Sequence, residues 1–391
     1  MCEALDDMFR VRLYHPAITQ RRVRREFDYW DVRHTGSLRR VAAFGPSRST
    51  WLDYPNRVAF LGQVLLDLHR RPVDVIYTRD PSLLYLLRRL PDRFGLPDTP
   101  VFYEAHKLYH RVSARVDTAE SEAEAVRLAD RVIAISQGVR EDLVRMGIDG
   151  ERIDVLPLGV KSGRFGGLPG KAELRADLGL SPAKPIVVYS GSWEEWKGVE
   201  TLMDAFARLA ADDREATLML AGVPGTVADA LRSRFAGTTP GRERLIVHDH
   251  LSRRELARWL RTADIGVVPN SDTVLGARYT SPLKVFEYLA AGLALAVSDL
   301  PSLRYLLSEK EAVFARPDDP LDLAGKISGL LRSDERRLMM QRAAIEKAAG
   351  FDYGIRAGHI LRIYQEYCQR SPADPNGPRR TRRELQHVEN P

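Results

Sequence analysis

Short apolar runs alternate with longer amphipathic stretches along most of the chain. In the first half, the β-branched apolar runs that predict strands are residues 10–14, 40–44, 73–78, 100–104, 132–136 and 153–157. The second half repeats the pattern at residues 186–189, 217–220, 245–248, 265–268, 293–297 and 312–315. Stretches with helical periodicity fall between most of these runs. Strands that alternate with helices are typical of parallel βαβ units, so the pattern predicts two doubly wound α/β sheets.

The length of the chain predicts two domains, because 391 residues exceed what one hydrophobic core usually organises. The glycine-rich segment 159–171 is the natural linker. We expect an N-terminal domain at residues 1–163 and a C-terminal domain at 164–350. A last helix at 351–370 and a disordered tail at 371–391, where Pro, Asn, Gly and Arg dominate, complete the chain.

The first domain opens unusually. A doubly wound half normally begins with a buried strand and a glycine-bearing turn, but residues 2–9 resemble the end of a helix that leads into a strand. We therefore expect that the first strand is missing, either because the start codon is assigned too late or because the protein is truncated. An unusual first element is the alternative.

Composition narrows the class of protein. A hydrophobic content of 44% with 29% charged residues is ordinary for a folded chain and excludes disorder throughout. Charged residues interrupt every apolar run before the roughly 20 residues that a membrane span needs. The acidic start does not resemble a secretory signal, so we expect a cytoplasmic protein. Cys2 and Cys368 lie near opposite ends, and neither a disulfide framework nor a structural zinc site is expected.

The net charge of +6 arises largely from two basic segments, residues 20–25 and 379–383. We interpret both as solvated surface. The alternative is attraction to anionic lipid headgroups, which predicts a peripheral contact with the inner face of the membrane. No aromatic-interleaved basic patch accompanies these segments, so nucleic acid is not an expected partner.

The strongest chemical signal is the segment 279–292, YTSPLKVFEYLAAG. Ser281 predicts a helix N-cap, Pro282 the first helical position and Gly292 the C-terminal stop. The free amides and positive dipole end of such a helix attract an anion. Lys284 adds a cation in the first turn, where the dipole alone disfavours one. This arrangement predicts a diphosphate site.

Glu287 lies three residues after Lys284 on the same helical face. Its carboxylate can accept hydrogen bonds from two ribose hydroxyls. The alternative is an amphipathic helix with an incidental pair of Lys284 and Glu287.

The segment 281–292 resembles the nucleotide-binding motif of retaining glycosyltransferases of family four, the group-one glycosyl transferases. The resemblance implies a GT-B fold, in which two Rossmann-like α/β domains face a central cleft, and a nucleotide-sugar donor held by the second domain. Many members carry two glutamates eight positions apart. Here Glu287 is the second, and Tyr279 occupies the position of the first. Ribose recognition by Glu287 is retained, whereas any donor-sugar contact of the first glutamate is lost.

A second segment, residues 188–202, resembles the glycine turn that follows the first strand of the family's second domain. The resemblance implies that the backbone near Gly191 and the side chain of Lys197 meet the donor diphosphate. Ser192 stands where the family often has an arginine, so one phosphate-binding cation is missing, and Lys284 is the candidate to compensate. The alternative makes Lys197 a solvated lysine at a helix entry.

Other donor-site residues follow from the same resemblance. The loop that carries His250 resembles the one that faces the base, with Ser252 and Glu255 as a capping box behind it. We interpret His250 itself as a rim or structural residue, and Asn270 as a sugar contact at the end of a buried strand. The predicted donor site as a whole consists of Gly191, Ser192, Lys197, His250, Asn270, Thr280, Ser281, Pro282, Leu283, Lys284 and Glu287.

In the first domain, polar residues occur where strands end, which is where open α/β sheets bind ligands. His106 resembles the family's histidine near the transferred sugar; a satisfied structural histidine is the alternative. Glu104 and Arg79 are weaker candidates, because the two can simply pair with each other.

In relatives, the last helix crosses back to pack on the first domain. Ser136 is the expected N-cap of a strand-to-helix turn.

Several catalytic patterns are absent from the sequence: paired carboxylates at a recognisable spacing, a nucleophilic serine or cysteine constellation, an Asp-x-Asp metal motif and a P-loop. We therefore expect neither a metal nor a separate cofactor. Catalysis would rest on positioning and charge stabilisation, with His106, Lys197 and Glu287 as the catalytic candidates.

The predicted activity is transfer of a sugar, with retention, from a nucleoside-diphosphate sugar to a hydroxyl group. The acceptor would be a glycan, a lipid-linked sugar or a small molecule, in cell-envelope glycan, glycolipid or glycoside synthesis. Two alternatives stay open. One is a nucleotide-sugar epimerase of the same fold. The other is a non-catalytic nucleotide-binding homologue, which Tyr279, Ser192 and the missing first strand favour.

Overall fold

The computed structural model describes residues 4–5, 8, 11, 14–17, 39–42, 50–89, 99–112, 119–211, 216–236 and 245–370. The disordered tail predicted at 371–391, the basic segments 20–25 and 379–383 and most of the region of the expected missing strand lie outside these residues. Peripheral membrane contact and the missing strand therefore stay predictions. No helix in the described ranges is both long and apolar enough to cross a membrane.

The strands of the described residues are β1 (Tyr14–Ala17), β2 (Arg39–Ala42), β3 (Ile76–Thr78), β4 (Val101–Ala105), β5 (Arg131–Ala134), β6 (Ile153–Val155), β7 (Ile186–Ser190), β8 (Thr217–Ala221), β9 (Leu245–His248), β10 (Ile265–Val268), β11 (Ala294–Ser298) and β12 (Ala312–Ala315). Strands β9, β10 and β12 match the predicted runs at both ends. Most others differ by one or two residues at an end. The predicted runs 10–14 and 73–78 differ most, because β1 and β3 begin four and three residues later.

The helices are α1 (Thr50–Arg70), α2 (Pro81–Arg89), α3 (Tyr109–Val112), α4 (Ala119–Arg127), α5 (Gln137–Arg145), α6 (Gly163–Gly166), α7 (Lys171–Asp177), α8 (Val199–Ala211), α9 (Gly225–Ala236), α10 (Arg253–Thr262), α11 (Leu283–Ala291), α12 (Pro301–Arg304), α13 (Pro320–Leu331), α14 (Asp334–Ala349) and α15 (Tyr353–Arg370). Short 3₁₀ turns span Gly150–Arg152 and Glu195–Lys197, and a π-helical turn spans Leu275–Tyr279.

The strands form two large parallel sheets, as the alternating pattern predicts. One sheet has the order β3-β4-β5-β6, and the other has the order β12-β11-β10-β7-β8-β9. Strands β1 and β2 pair in parallel as a separate ribbon. In the six-stranded sheet the chain runs outward from β7 in one direction and outward from β10 in the other. The carboxyl ends of β7 and β10 therefore form a topological switch point, where open α/β sheets bind ligands.

The six-stranded sheet is buried on both faces. Along β7, Ile186 and Val188 belong to one apolar cluster, whereas Val187 and Tyr189 belong to a second. This alternation follows from the two-residue period of a strand, because successive side chains point to opposite faces. Burial on both faces also explains the continuous apolar runs that marked these strands in the sequence.

The last helix, α15, packs against the four-stranded sheet. Its residues Ile360 and Ile363 form one buried cluster with Phe102, Ile133 and Leu156 of that part of the chain. The helix therefore returns to the first sheet after the second is complete. The domain boundaries at 163/164 and 350/351 remain predictions.

The glycine-rich segment 159–171 meets the start of this returning helix. Val160 forms an isolated parallel bridge with Asp352, and the Val160 N–H donates to Phe351 O at 2.9 Å. A Cβ on Gly159 would lie only 2.4 Å from Phe351 O, so glycine permits this close approach. The predicted linker is thus packed and partly helical, since it contains α6.

Candidate functional site

The turn that follows β7 holds Gly191 with φ of 143°, a conformation that favours glycine. Its N–H donates to Ala221 O at the end of β8, at 2.9 Å. A Cβ at this position would lie 3.2 Å from Nζ of Lys284. The glycine therefore lets the backbone at the switch point approach the lysine amine closely.

A second glycine turn carries Lys197. Gly198 ends the 3₁₀ turn Glu195–Lys197 with φ of 60°, and a Cβ there would lie 1.8 Å from Pro269 O. The Ser271 N–H also donates to Trp196 O at 2.9 Å. These contacts seat the turn against the segment that follows β10.

The amine of Lys197 lies among polar neighbours of the same turn. Its Nζ donates to Glu194 Oε1 at 2.8 Å and to Ser192 Oγ. The hydrogen bond from Lys197, followed by that from Ser192, lowers the pKa of Glu194 to about 2. Ser192 thus contacts the lysine that the sequence assigns to the diphosphate.

Helix α11 begins one residue later than predicted. Its N-cap is Pro282, which makes no side-chain cap, and the helix starts at Leu283. The prediction of Ser281 as N-cap is wrong because its Oγ instead accepts a hydrogen bond of 2.9 Å from the Leu158 N–H. The predicted stop at Gly292 is confirmed, with φ of 74° in the left-handed region.

Lys284 is the most unusual side chain of the site. It is 8% exposed, and within the described residues its Nζ has no hydrogen-bond partner. The amine lies 3.9 Å from the centroid of the Tyr189 ring. Burial, and then the positive charge of Lys197, lower its pKa well below the usual range, against the opposing charges of Glu194 and Glu287. The amine lies beside Gly191 and, although buried, has no hydrogen-bonded anion as a partner. Such an amine is suited to binding an anion.

Glu287 lies one turn further along α11 and is 8% exposed. Its Oε1 accepts a hydrogen bond of 2.8 Å from Nη1 of Arg253. Burial raises the pKa of Glu287, while the charges of Arg253 and then Arg164 oppose the rise. The carboxylate thus pairs with Arg253, and the incidental Lys284–Glu287 hydrogen bond considered from the sequence is not made.

Sequence reasoning missed Arg253. This residue begins α10 and lies within the predicted capping box, in which Ser252 Oγ accepts from the Glu255 N–H and the Glu255 carboxylate accepts from the Ser252 N–H. The box is confirmed. An arginine at the start of a helix, where the dipole disfavours cations, was the available signal.

Asn270 follows β10 at the switch point and is 1% exposed. In the described part of the chain, neither Oδ1 nor Nδ2 of its amide has a hydrogen-bond partner. Buried amides are nearly always satisfied, so this group is suited to binding a ligand or water. His250, by contrast, has a side chain that is 73% exposed, and Thr280 is half-buried between the π-helical turn and α11.

A buried carboxylate in the first sheet is contacted by basic side chains. The side chain of Glu104, on β4, is fully buried. Its Oε1 contacts Arg79 Nη2 at 2.8 Å and His106 Nε2 at 2.6 Å. The pairing of Arg79 with Glu104 that the sequence left as an alternative is therefore present. His106 is held beside this pair with its side chain 32% exposed.

Tyr279 is buried, and its hydroxyl donates to Asp142 Oδ2 at 2.6 Å. Burial first, and then Asp142, raise the pKa of Tyr279 to about 12, although Arg111 lowers it. The neighbouring Arg278 O accepts a hydrogen bond of 2.6 Å from Ser136 Oγ. Ser136 also caps α5 by accepting from the Val139 N–H, as predicted.

The structure thus brings Gly191, Lys197 and Lys284 together at the switch point, with Glu287 one turn away on α11. Among the described residues, no group of three or more His, Cys, Asp or Glu side chains is arranged to hold a metal ion. The arrangement can bind an anion through two amines and helix amides, and it offers a buried carboxylate as a hydrogen-bond acceptor.

Two α/β sheets with parallel strands, the larger with a topological switch point, are the architecture of the GT-B class of folds. Family models match both halves: a Glycosyltransferase Family 4 model matches residues 1–164, and a Glycosyl transferases group 1 model matches residues 184–333. The chain belongs to this glycosyltransferase family.

Curated relatives are similar to part of the chain. A D-inositol 3-phosphate glycosyltransferase of Xylanimonas cellulosilytica is 30% identical over 261 residues, which are 64% of this chain and 60% of the relative. One from Nocardia farcinica is 28% identical over 62% of this chain and 54% of the relative. The similarity therefore spans less than two thirds of the length of these two proteins.

Solved structures share the fold. Sucrose-phosphate synthase from Thermosynechococcus elongatus has a TM-score of 0.73 at 18% identity, covering 95% of this chain and 92% of that protein. HepE of Anabaena in complex with UDP and glucose has a TM-score of 0.68 at 15% identity, covering 93% and 94%. These likenesses confirm the GT-B architecture.

Proposed function

We propose that this protein transfers a sugar from a nucleoside-diphosphate sugar to an acceptor hydroxyl, with retention of configuration. The observation that carries the proposal is the buried amine of Lys284, which has no hydrogen-bond partner among the described residues. It lies against the Gly191 turn at the carboxyl end of β7. A diphosphate would supply the charged hydrogen-bond acceptor that this amine lacks.

The donor nucleotide would be held by α11 and the two glycine turns. Lys284, Lys197 and the first-turn amides of α11 would contact the diphosphate, since those amides lack partners within the helix. Glu287 would accept hydrogen bonds from the ribose hydroxyls, while the charge of Arg253 favours the ionised form against the effect of burial on the Glu287 pKa. Asn270, with its unpartnered amide, would contact the sugar.

The reaction would depend on charge stabilisation. As the bond from the anomeric carbon to the diphosphate breaks, Lys197, Lys284 and the helix amides would stabilise the developing negative charge. His106 would position the sugar from the opposite sheet. An acceptor hydroxyl would attack the same face, and the leaving phosphate would take its proton. Closure of the two halves would exclude water and limit hydrolysis.

The names of similar proteins suggest which donors and acceptors should be tested first. HepE of Anabaena has been solved with UDP and with UDP-glucose, so uridine nucleotides are the first donors to test. Several relatives are named D-inositol 3-phosphate glycosyltransferases, which makes this phosphorylated polyol the first acceptor to test. Glycans and lipid-linked sugars are the next classes.

The experiment has two stages. Thermal shift with UDP, GDP and ADP selects the base, and incubation of the matching nucleotide sugars with the acceptor panel is followed by mass spectrometry and by NMR of the new anomeric centre. We expect a retained glycoside. An isomerised donor formed without acceptor would favour an epimerase, and nucleotide binding without transfer would favour a non-catalytic homologue.

Lys197→Ala separates a functional lysine from a structural one. We expect this variant to lose turnover while its thermal midpoint changes little, because Lys197 Nζ contacts only side chains of its own turn in the hydrogen bonds described here. Equal losses of turnover and stability would assign Lys197 a structural role. Lys347→Ala, which alters an amine on α14 beside Glu311, is the matched control.

A further inference from the structure

The buried carboxylate of Glu104 is saturated by its neighbours. Oε1 accepts from Arg79 and His106, and Oε2 accepts from the Tyr77 hydroxyl and from Arg356 Nη2 at 2.7 Å. An ionised carboxylate has about four lone-pair sites, so these four donors occupy its capacity. Glu104 therefore has no oxygen lone pair left for a substrate.

Arg356 reaches Glu104 from the opposite end of the chain. It lies on α15, 252 positions after Glu104, and its side chain is 3% exposed. The guanidinium also donates from Nε to Pro157 O at 2.8 Å and from Nη2 to Leu156 O at 3.3 Å. These backbone contacts anchor the arginine at the end of β6, so the position of the Glu104 carboxylate depends on the returning helix.

Charge keeps Glu104 an acceptor. Burial alone would raise its pKa, but the hydrogen bond from His106 and the charges of Arg356 and Arg79 hold the pKa well below the usual range. An ionised carboxylate only accepts hydrogen bonds. The ring nitrogen of His106 that contacts it, Nε2, must therefore carry a proton.

We propose that Glu104 and Arg356 are positioning residues for His106: they fix its ring so that Nε2–H faces Glu104 and Nδ1 is the nitrogen left for a ligand. The partly exposed side chain of His106 is compatible with this role. A carboxylate behind a histidine is a general means of setting tautomer and ring orientation. The inference deepens the proposed function, because it rests on His106 contacting the transferred sugar.

The first measurement needs no variant. Protein labelled with ¹⁵N-histidine is studied by long-range ¹H–¹⁵N spectra as the pH is raised until the His106 signals stop changing, so that the ring is observed in its neutral form. The His106 signals are assigned by their loss in His106→Gln. We expect a protonated Nε2 and an unprotonated Nδ1. A ring protonated on Nδ1, or one that averages between tautomers, would overturn the proposal whether or not any variant folds.

The second measurement uses three variants and a control. Glu104→Gln and Arg356→Met should lower kcat by about tenfold, the scale of one charge-assisted hydrogen bond, and abolish the tautomer preference. Arg356→Lys should retain part of both, because it keeps the charge but not the planar fork. Arg362→Met removes an exposed arginine of the same helix and should change neither.

The outcomes are distinguishable. UDP is proposed to bind at the second sheet, so variants that only change how His106 is positioned should keep the wild-type affinity for UDP. A variant that destabilises the whole protein would lower both the UDP affinity and the thermal midpoint. Unchanged tautomer and kcat in a folded Glu104→Gln would overturn the inference. Failure of the wild-type protein to transfer sugar from UDP-glucose or any other panel donor would reject the proposed function, while the spectra would still decide how His106 is held.

Discussion

The hydroxyl of Tyr279 donates a 2.6 Å hydrogen bond to Oδ2 of Asp142, a residue 137 positions earlier in the chain. Tyr279 ends the π-helical turn between β10 and α11, and Asp142 lies on α5 beside the four-stranded sheet. Arg278 of the same turn also reaches Asp142 Oδ1 at 3.0 Å. Tyr279, which stands where the resembled motif would place its first glutamate, thus joins the two halves of this protein.

We expect Tyr279→Phe to lower stability by about 1.5 kcal/mol, the lower end for a hydrogen bond to a charged group, because Asp142 keeps its arginine partners. A fall in the urea midpoint measures this loss, and UDP affinity should not change. Tyr305→Phe, at a side chain that is largely exposed, is the matched control. Wild-type stability in Tyr279→Phe would show that the hydrogen bond contributes nothing.

Removal of the Glu287 carboxylate should weaken nucleotide binding. Glu287→Ala loses the acceptor proposed for the ribose, and a charge-assisted hydrogen bond contributes about 1.5–3 kcal/mol, so the Kd for UDP should rise at least tenfold. Isothermal titration calorimetry checks this. Glu287→Gln preserves the shape beside Arg253 and separates folding from binding. The exposed Glu346→Ala serves as control, and an unchanged Kd in folded Glu287→Ala would reject the ribose role.

Binding of UDP should be coupled to proton uptake by Lys284. Burial lowers the pKa of this amine in the free protein, and a bound diphosphate should raise it again. At a pH between the lowered pKa and the ordinary lysine pKa of about 10.4, more of this amine is neutral in the free protein than in the complex, so binding takes up protons. Calorimetry in two buffers of different ionisation enthalpy measures the uptake.

The control for that experiment is Lys284→Met, which should bind UDP more weakly and without the proton uptake. The lowered pKa of Lys284 also predicts how the stability of the free protein changes with pH. The unfolded chain binds the extra proton between the lowered pKa and about 10.4, so stability rises with pH across that window. Lys284→Met should remove this rise. Equal proton uptake in both proteins would assign the linkage to another group.

Gly198→Ala should be strongly destabilising. The added Cβ would lie 1.8 Å from Pro269 O, and φ of 60° is itself unfavourable for alanine. We expect a loss of about 2 kcal/mol or more and weaker UDP binding, because the turn that carries Lys197 must shift. Thermal denaturation compares it with Gly163→Ala, where a Cβ meets nothing within 4 Å. Similar midpoints for the two variants would contradict the packing argument.

Local patterns were sufficient for most of the secondary-structure elements and for the family. Continuous apolar runs predicted β9, β10 and β12 with their bounds. For β10 and β12 the reason is that every residue of the strand is buried, and such strands need little beyond apolar side chains. The capping box at Ser252 and the stop at Gly292 were predicted because caps involve residues only a few positions apart. The segment 279–292 indicated the family because the residues of its motif also lie close together in the chain.

Tertiary structure alone decided which side chains meet. The sequence identified Glu287 and Glu104, and Arg253 stood out only as a cation at a helix start. Nothing local showed that Arg253 pairs with Glu287, or that Arg356 reaches Glu104 across 252 positions. The sequence predicted Ser281 as an N-cap, but the Ser281 hydroxyl oxygen instead accepts a hydrogen bond from the Leu158 N–H. Hydrogen bonds between distant segments depend on how the sheets and the last helix pack, and that packing has no local pattern in the chain.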